Sequence, residues 1–94
     1  MTRPNPFKLS VVVPCYNEGT HIKDFINTLK SKVESLTNHY EIILINDGSK
    51  DNTKEVIYSL IASGHIRYLE FSRNFGKEAA LMAGIDHASG DATL

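Results

Sequence analysis

Tyr40-Glu41-Ile42-Ile43-Leu44-Ile45-Asn46-Asp47-Gly48-Ser49 is the stretch on which the fold turns. Ile42 to Ile45 is an unbroken apolar run, mostly β-branched, so Tyr40 to Ile45 reads as a strand. An unbroken run, as opposed to an alternating one, marks burial on both faces, as in a parallel sheet. Asn46-Asp47-Gly48-Ser49 is turn chemistry and ends the strand. Parallel strands need helical crossovers, and both flanks supply one. Upstream, Ile22, Phe25, Ile26, Leu29, Val33 and Leu36 recur at spacings of three and four, which predicts a helix from about Thr20 to Leu36. Downstream, Val56, Ile57, Leu60 and Ile61 mark a helix from about Asn52 to Ala62. Asn52 with Glu55 resembles a capping box, and Ser63-Gly64 stops the helix.

Further out, Lys8 to Val13 is a β-branched strand that Pro14 is expected to end, because proline cannot donate to a ladder. Ile66 to Phe71 is another strand, and Lys77 to Ala88 another helix. The small residues Ala79, Ala80, Ala83 and Gly84 let that helix lie close to the sheet. Ala92-Thr93-Leu94 reads as the start of a fourth strand. The order β-α-β-α-β-α-(β) means an α/β fold on a parallel sheet. Residues 1–7, with two prolines, read as a loose arm, and residues 8–94 as one domain.

Composition agrees. Ninety-four residues allow one small domain, and 41% hydrophobic with 22% charged residues is ordinary for a soluble protein. A net charge of -1 gives no electrostatic case for nucleic acid. Cys15 is the single cysteine, so no internal disulfide forms, and a reducing, cytoplasmic setting is the simpler reading. The N-terminus lacks the apolar core of a signal peptide, and no apolar run approaches the roughly 20 residues that cross a bilayer. Membrane attachment is expected only through regions outside this chain.

Ligands of open parallel sheets bind beyond the carboxyl ends of the strands. That rule selects three loops: Pro14-Cys15-Tyr16-Asn17-Glu18-Gly19, Asn46-Asp47-Gly48-Ser49 and Ser72-Arg73-Asn74-Phe75-Gly76-Lys77. The first lacks the G-x-G-x-x-G that lets backbone approach a pyrophosphate, which argues against a dinucleotide-dependent oxidoreductase; a P-loop is absent too. Tyr16 can offer a ring to a flat base, and Glu18 can accept from base N–H groups or a ribose hydroxyl. Asp47 can accept from a base imide N–H, which uracil and guanine present and adenine does not. The same residues also serve as a packed ring, a charge at a helix start and a turn carboxylate. Lys77 stands near a helix N-terminus, where the dipole disfavours a cation, so a bound diphosphate would explain it; Arg73 adds a second cation. His21, His39, His65 and His87 lack metal-ligand spacing, and Asp86 and Asp91 do not form a metal pair.

Together, Val11-Val12-Val13-Pro14-Cys15-Tyr16-Asn17-Glu18, Ile45-Asn46-Asp47-Gly48-Ser49-Lys50-Asp51-Asn52-Thr53 and Phe71-Ser72-Arg73-Asn74-Phe75-Gly76-Lys77-Glu78-Ala79-Ala80 resemble the family 2 glycosyltransferases. The branch most similar is that of dolichol-phosphate-mannose synthases and bactoprenol glucosyltransferases. The resemblance implies a Rossmann-like GT-A fold with the strand order 3-2-1-4. It implies that Pro14, Tyr16, Asn17, Glu18 and Asp47 hold the nucleoside of a nucleotide-sugar donor. Asn46 stands where many relatives have a second aspartate. The implied reaction is an inverting sugar transfer from a UDP- or GDP-sugar to a polyprenyl phosphate, for a cell-envelope glycan, at the cytoplasmic face of the membrane. Relatives place an Asp-x-Asp motif for Mg²⁺ or Mn²⁺ beyond the point where this chain ends. The chain alone is therefore expected to bind no metal, to lack activity, and either to self-associate with its first strand at or near the contact or to be only marginally stable. A non-catalytic nucleotide-binding module is the alternative.

Overall fold

The computed structural model describes residues 8–93; the arm expected at 1–7 and Leu94 lie outside the described residues. The elements run β1 (Leu9–Cys15), α1 (Ile22–Glu34), β2 (Tyr40–Asn46), α2 (Thr53–Ile61), β3 (Ile66–Glu70), α3 (Lys77–His87) and β4 (Ala92–Thr93). All strand pairs are parallel, in the order β3-β2-β1-β4, as expected.

The β2 run is buried along its whole length because it is covered on both faces. Ile42 and Leu44 pack with Leu9, Val11, Ile22, Ile26, Val33, Ile57 and Leu60 under α1 and α2. Ile43 and Ile45 point the other way, onto Ala80 of α3 with Val12 and Leu69 around them. The close approach of α3 rests on its small residues: a β-carbon on Gly84 would lie 2.3 Å from Val12 Cγ1.

Three local expectations are corrected. Pro14 does not end β1; it lies inside the strand, opposite Ile45. The Cys15 carbonyl accepts from Asp47 N–H, so Cys15 faces β2 and its neighbour Pro14 faces away, toward the β4 side. There β4 covers only Leu9 and Ser10, so no ladder donor is missed. The capping box does not form: Asn52 makes no side-chain cap, and Asp51 Oδ1 instead accepts from Thr53 N–H at 3.0 Å. The α1 stripe buries Ile22, Ile26 and Val33 but leaves Phe25 and Leu36 exposed.

The amino ends of the strands are tied by a feature the sequence reading missed. Glu41 is 5% exposed, among Ser10, Arg67 and Ser89. Burial pushes its carboxyl up, but hydrogen bonds from Ser10, the Ser89 backbone and Arg67 outweigh it and hold it down at about 2. Gly90 N–H donates to Ser10 Oγ and Lys8 N–H to Asp91, which seats the loop leading into β4.

Candidate functional site

The strand order reverses at β1, since β2 and β3 lie to one side of it and β4 to the other. Such a switch point opens a crevice at the carboxyl ends of the strands. A cleft of about 360 Å³ lies there, lined by Pro14, Cys15, Tyr16, Glu18, Asp47 and Lys77. Five of the seven expected site residues thus meet in one place, and Glu18 and Asp47 face the same cleft.

Asp47 is built in from the sequence turn. Gly48 carries φ +70°, and a β-carbon there would sit 2.2 Å from the Arg73 carbonyl carbon, so only glycine lets the third loop cross this closely. The crossing delivers backbone donors to the Asp47 carboxylate. Phe75 N–H reaches it at 2.8 Å and Gly76 N–H at 3.1 Å, with the Asn74 amide at 3.3 Å. Asp47 is 3% exposed, so these bonds replace the water it loses. A carboxylate has about four acceptor sites, which leaves about one for a ligand. Asp47 therefore fastens the β3–α3 loop as well as bordering the cleft. Lys77 begins α3 directly after that loop.

Two expected residues stand apart. Asn17 borders neither this cleft nor the next; it adopts φ 53°, donates its N–H to Ser49 Oγ, and accepts from Lys50 N–H through Oδ1. Arg73 stacks over the Phe75 ring at 5.0 Å and lines a second, more polar cleft of about 420 Å³ with Lys50, Asp51, Lys54 and Glu70. Tyr16 borders both clefts and is 43% exposed, which leaves it open to a planar partner.

Asn46 sits beneath the second cleft in a directed chain. Its Oδ1 accepts from Ser49 N–H, its Nδ2 donates to the Tyr68 hydroxyl, and that hydroxyl donates to Glu70. An ionised aspartate at this position could not make the Nδ2 donation to Tyr68. Burial, above all, raises the Tyr68 phenol to about 12. Burial first, then the Glu18 charge, pushes the Cys15 thiol up to about 12, which disfavours the thiolate.

Among the described residues no group of three His, Cys, Asp or Glu side chains is placed to hold a metal. Glu18 and Asp47 alone border the cleft, and Asp47 is largely occupied, so the residues present do not make a divalent-cation site.

Comparison with known proteins agrees with the fold. The description of Glycosyl transferase family 2 matches residues 10–94. The bactoprenol glucosyl transferase of Shigella phage SfV is 49% identical over 88 residues, which are 93% of this chain and 29% of the phage protein. Among solved structures, S. aureus TarS in complex with UDP-GlcNAc has a TM-score of 0.76 at 24% identity, over 94% of this chain and 25% of that one. The mannosyltransferase PcManGT from Pyrobaculum calidifontis, in complex with GDP-Man and Mn²⁺, has a TM-score of 0.75 at 21% identity, over 88% of this chain and 25% of that one. The chain thus spans between a quarter and three tenths of the length of these proteins. The match over nearly the whole chain, on a sheet of this order, means that it belongs to Glycosyl transferase family 2.

Proposed function

We propose that this chain supplies the nucleotide-sugar-binding part of an inverting glycosyltransferase that moves a sugar from a UDP- or GDP-sugar to a polyprenyl phosphate. The observation that carries the reading is the single cleft at the switch point that gathers Pro14, Tyr16, Glu18, Asp47 and Lys77. In it, Tyr16 stacks on the base, the remaining acceptor site of Asp47 takes the imide N–H, and Glu18 takes a ribose hydroxyl. Lys77, at the α3 N-terminus, faces the diphosphate, where amide donors and cation act together. Arg73 lies in the second cleft, which shares Tyr16 with the first. The fold accommodates both nucleosides in its relatives, one solved with UDP-GlcNAc and one with GDP-Man. The acceptor class rests on the phage relative, whose name specifies bactoprenol.

A phosphate acceptor is already anionic near neutral pH, so the reaction needs no strong general base, and we assign none to these residues. In the full-length protein, Mg²⁺ or Mn²⁺ would stabilise the leaving diphosphate as a Lewis acid, held by residues outside those described here. No helix among the described residues is long and apolar enough to cross a membrane. We place the full-length protein at the cytoplasmic membrane face, where a soluble donor and a lipid acceptor meet.

The test is transfer. The full-length protein, given a labelled UDP- or GDP-sugar with undecaprenyl phosphate, should move label into the lipid fraction. Nucleotide binding without transfer would replace the enzyme by a binding module. Binding of a nicotinamide dinucleotide in preference to either nucleotide would overturn the reading altogether.

A further inference from the structure

Four hydrogen bonds join the β1–α1 loop to the β2–α2 loop, and the assignment of the cleft uses none of them. Asn17 N–H donates to Ser49 Oγ at 2.9 Å, and Asn17 Oδ1 accepts from Lys50 N–H at 2.8 Å. Glu18 N–H donates to Thr53 Oγ1 at 2.9 Å, and Gly19 N–H to Asp51 Oδ2 at 3.1 Å. In three of the four the donors are successive amides, Asn17, Glu18 and Gly19, and the acceptors are side chains of one short segment, Ser49 to Thr53; in the fourth the segment donates, from Lys50 N–H to Asn17 Oδ1.

The segment is itself prepared. Thr53 is fully buried, and its hydroxyl donates to Asp51 Oδ1, which leaves its lone pairs for Glu18 N–H. The hydrogen bond from Thr53, foremost, lowers the Asp51 carboxyl and keeps it an acceptor. Gly19 lies close against the segment: a β-carbon there would displace the exposed Asn52 side chain, whose Oδ1 is 1.9 Å away, and would approach Thr53 N at 3.1 Å. Asn17 holds the left-handed backbone that turns successive amides toward one side, a conformation asparagine tolerates better than most residues. Neither Asn17 nor Thr53 borders the cleft, whereas Tyr16 and Glu18, which the clasp brackets, both do.

We propose that Asn17, Asp51 and Thr53 are positioning residues, a clasp that fixes Tyr16 and Glu18 against the β2–α2 loop and thereby sets nucleotide affinity. The proposal rests on the reading that this cleft takes the nucleotide. It gives Asn17 a different task from the direct nucleoside contact that the family resemblance implies.

The test is calorimetry on the full-length protein with UDP and GDP. Thr53→Val removes the hydroxyl and keeps the shape; Thr53→Ser keeps the hydroxyl. Thr53→Val should weaken the preferred nucleotide by about tenfold, the upper range for one lost hydrogen bond, with binding stoichiometry unchanged. Thr53→Ser should bind like wild type. Asn17→Asp keeps the acceptor for Lys50 N–H and should also retain affinity, whereas Asn17→Gly, which keeps the backbone conformation and loses the acceptor, should not. In a Tyr16→Ala background the effect of Thr53→Val should largely vanish, because the clasp acts through the loop it holds. A purely structural Thr53 would lower the stoichiometry and leave the affinity of the folded fraction intact, and that result overturns the clasp. So does loss of binding in Asn17→Asp, which would make the Asn17 amide a direct ligand contact. A wild-type protein that takes up neither UDP nor GDP would overturn the cleft assignment and the clasp together, while unchanged affinity in Thr53→Val beside normal wild-type binding removes the clasp alone.

Discussion

Glu41 shows how a single side chain acquires a role that its neighbours in sequence do not announce. It lies in an apolar strand, where a charged residue reads as solvent-facing, yet it is 5% exposed because the loop carrying Ser89 closes over it. Its folded carboxyl is held at about 2, below its ordinary 4.5, so it contributes stability that is fully present above pH 4.5. That contribution, on the order of 3 kcal/mol, should be lost as pH falls from 4.5 toward 2, since protonation ends the bonds from Ser10, Ser89 and Arg67. Urea unfolding across that window should show the loss in wild type and a flatter profile in Glu41→Gln. Equal slopes would remove Glu41 from the account. Asp47 is the counterpart at the other end of the sheet. Its place after a buried strand was legible from the sequence, but its three donors were not, because they come from a loop 27 to 29 positions away.

The elements themselves were legible because hydrophobic period decides them. Every strand and helix lies within two residues of its expected ends. What failed depends on neighbours that periodicity does not contain. Pro14 was read as a strand stop because its missing N–H matters only if a partner lies on that side, and β4 stops short of it. Asn17, which the family resemblance assigns to the nucleoside, and Arg73, which its loop suggests, do not line the first cleft, because loop position does not say which way a side chain turns. Of the small residues expected to bring α3 close to the sheet, Ala80 and Gly84 are buried whereas Ala79 is exposed, and Gly84 gives the sharpest test. Alanine there gains about 1 kcal/mol in helix propensity. It also places a β-carbon 2.3 Å from Val12 Cγ1 and 2.8 Å from Ile45 Cδ1, and Val12 is stiff at χ1. Overpacking of this kind costs about 1–3 kcal/mol, so it wins, and Gly84→Ala should lower the melting temperature. A variant that melts higher would mean that α3 is free to move off the sheet.

Among the described residues, the β4 side of β1 is largely open. Beyond the two residues that β4 pairs, Val11–Cys15 has no strand on that side among the described residues. A groove of about 450 Å³ runs along it, lined by Val11, Val13, Ile22, Phe25 and Leu29 among others. Pro14 blunts strand pairing there, so burial of the groove, with Phe25 50% exposed, is the stronger drive. The 94-residue chain is therefore expected to self-associate at high concentration, and Phe25→Lys to shift it toward monomer without loss of fold. Light scattering that finds wild type and variant equally monomeric would refute this. The central claim, however, concerns the neighbouring cleft, and amide chemical-shift mapping with UDP and GDP tests it most directly. The nucleotide that binds better should move the amides of Tyr16, Glu18, Asp47 and Lys77 together, and Asp47→Ala should abolish the pattern. Shifts confined to the groove beside Phe25, or to the second cleft around Lys54 and Glu70, would contradict it.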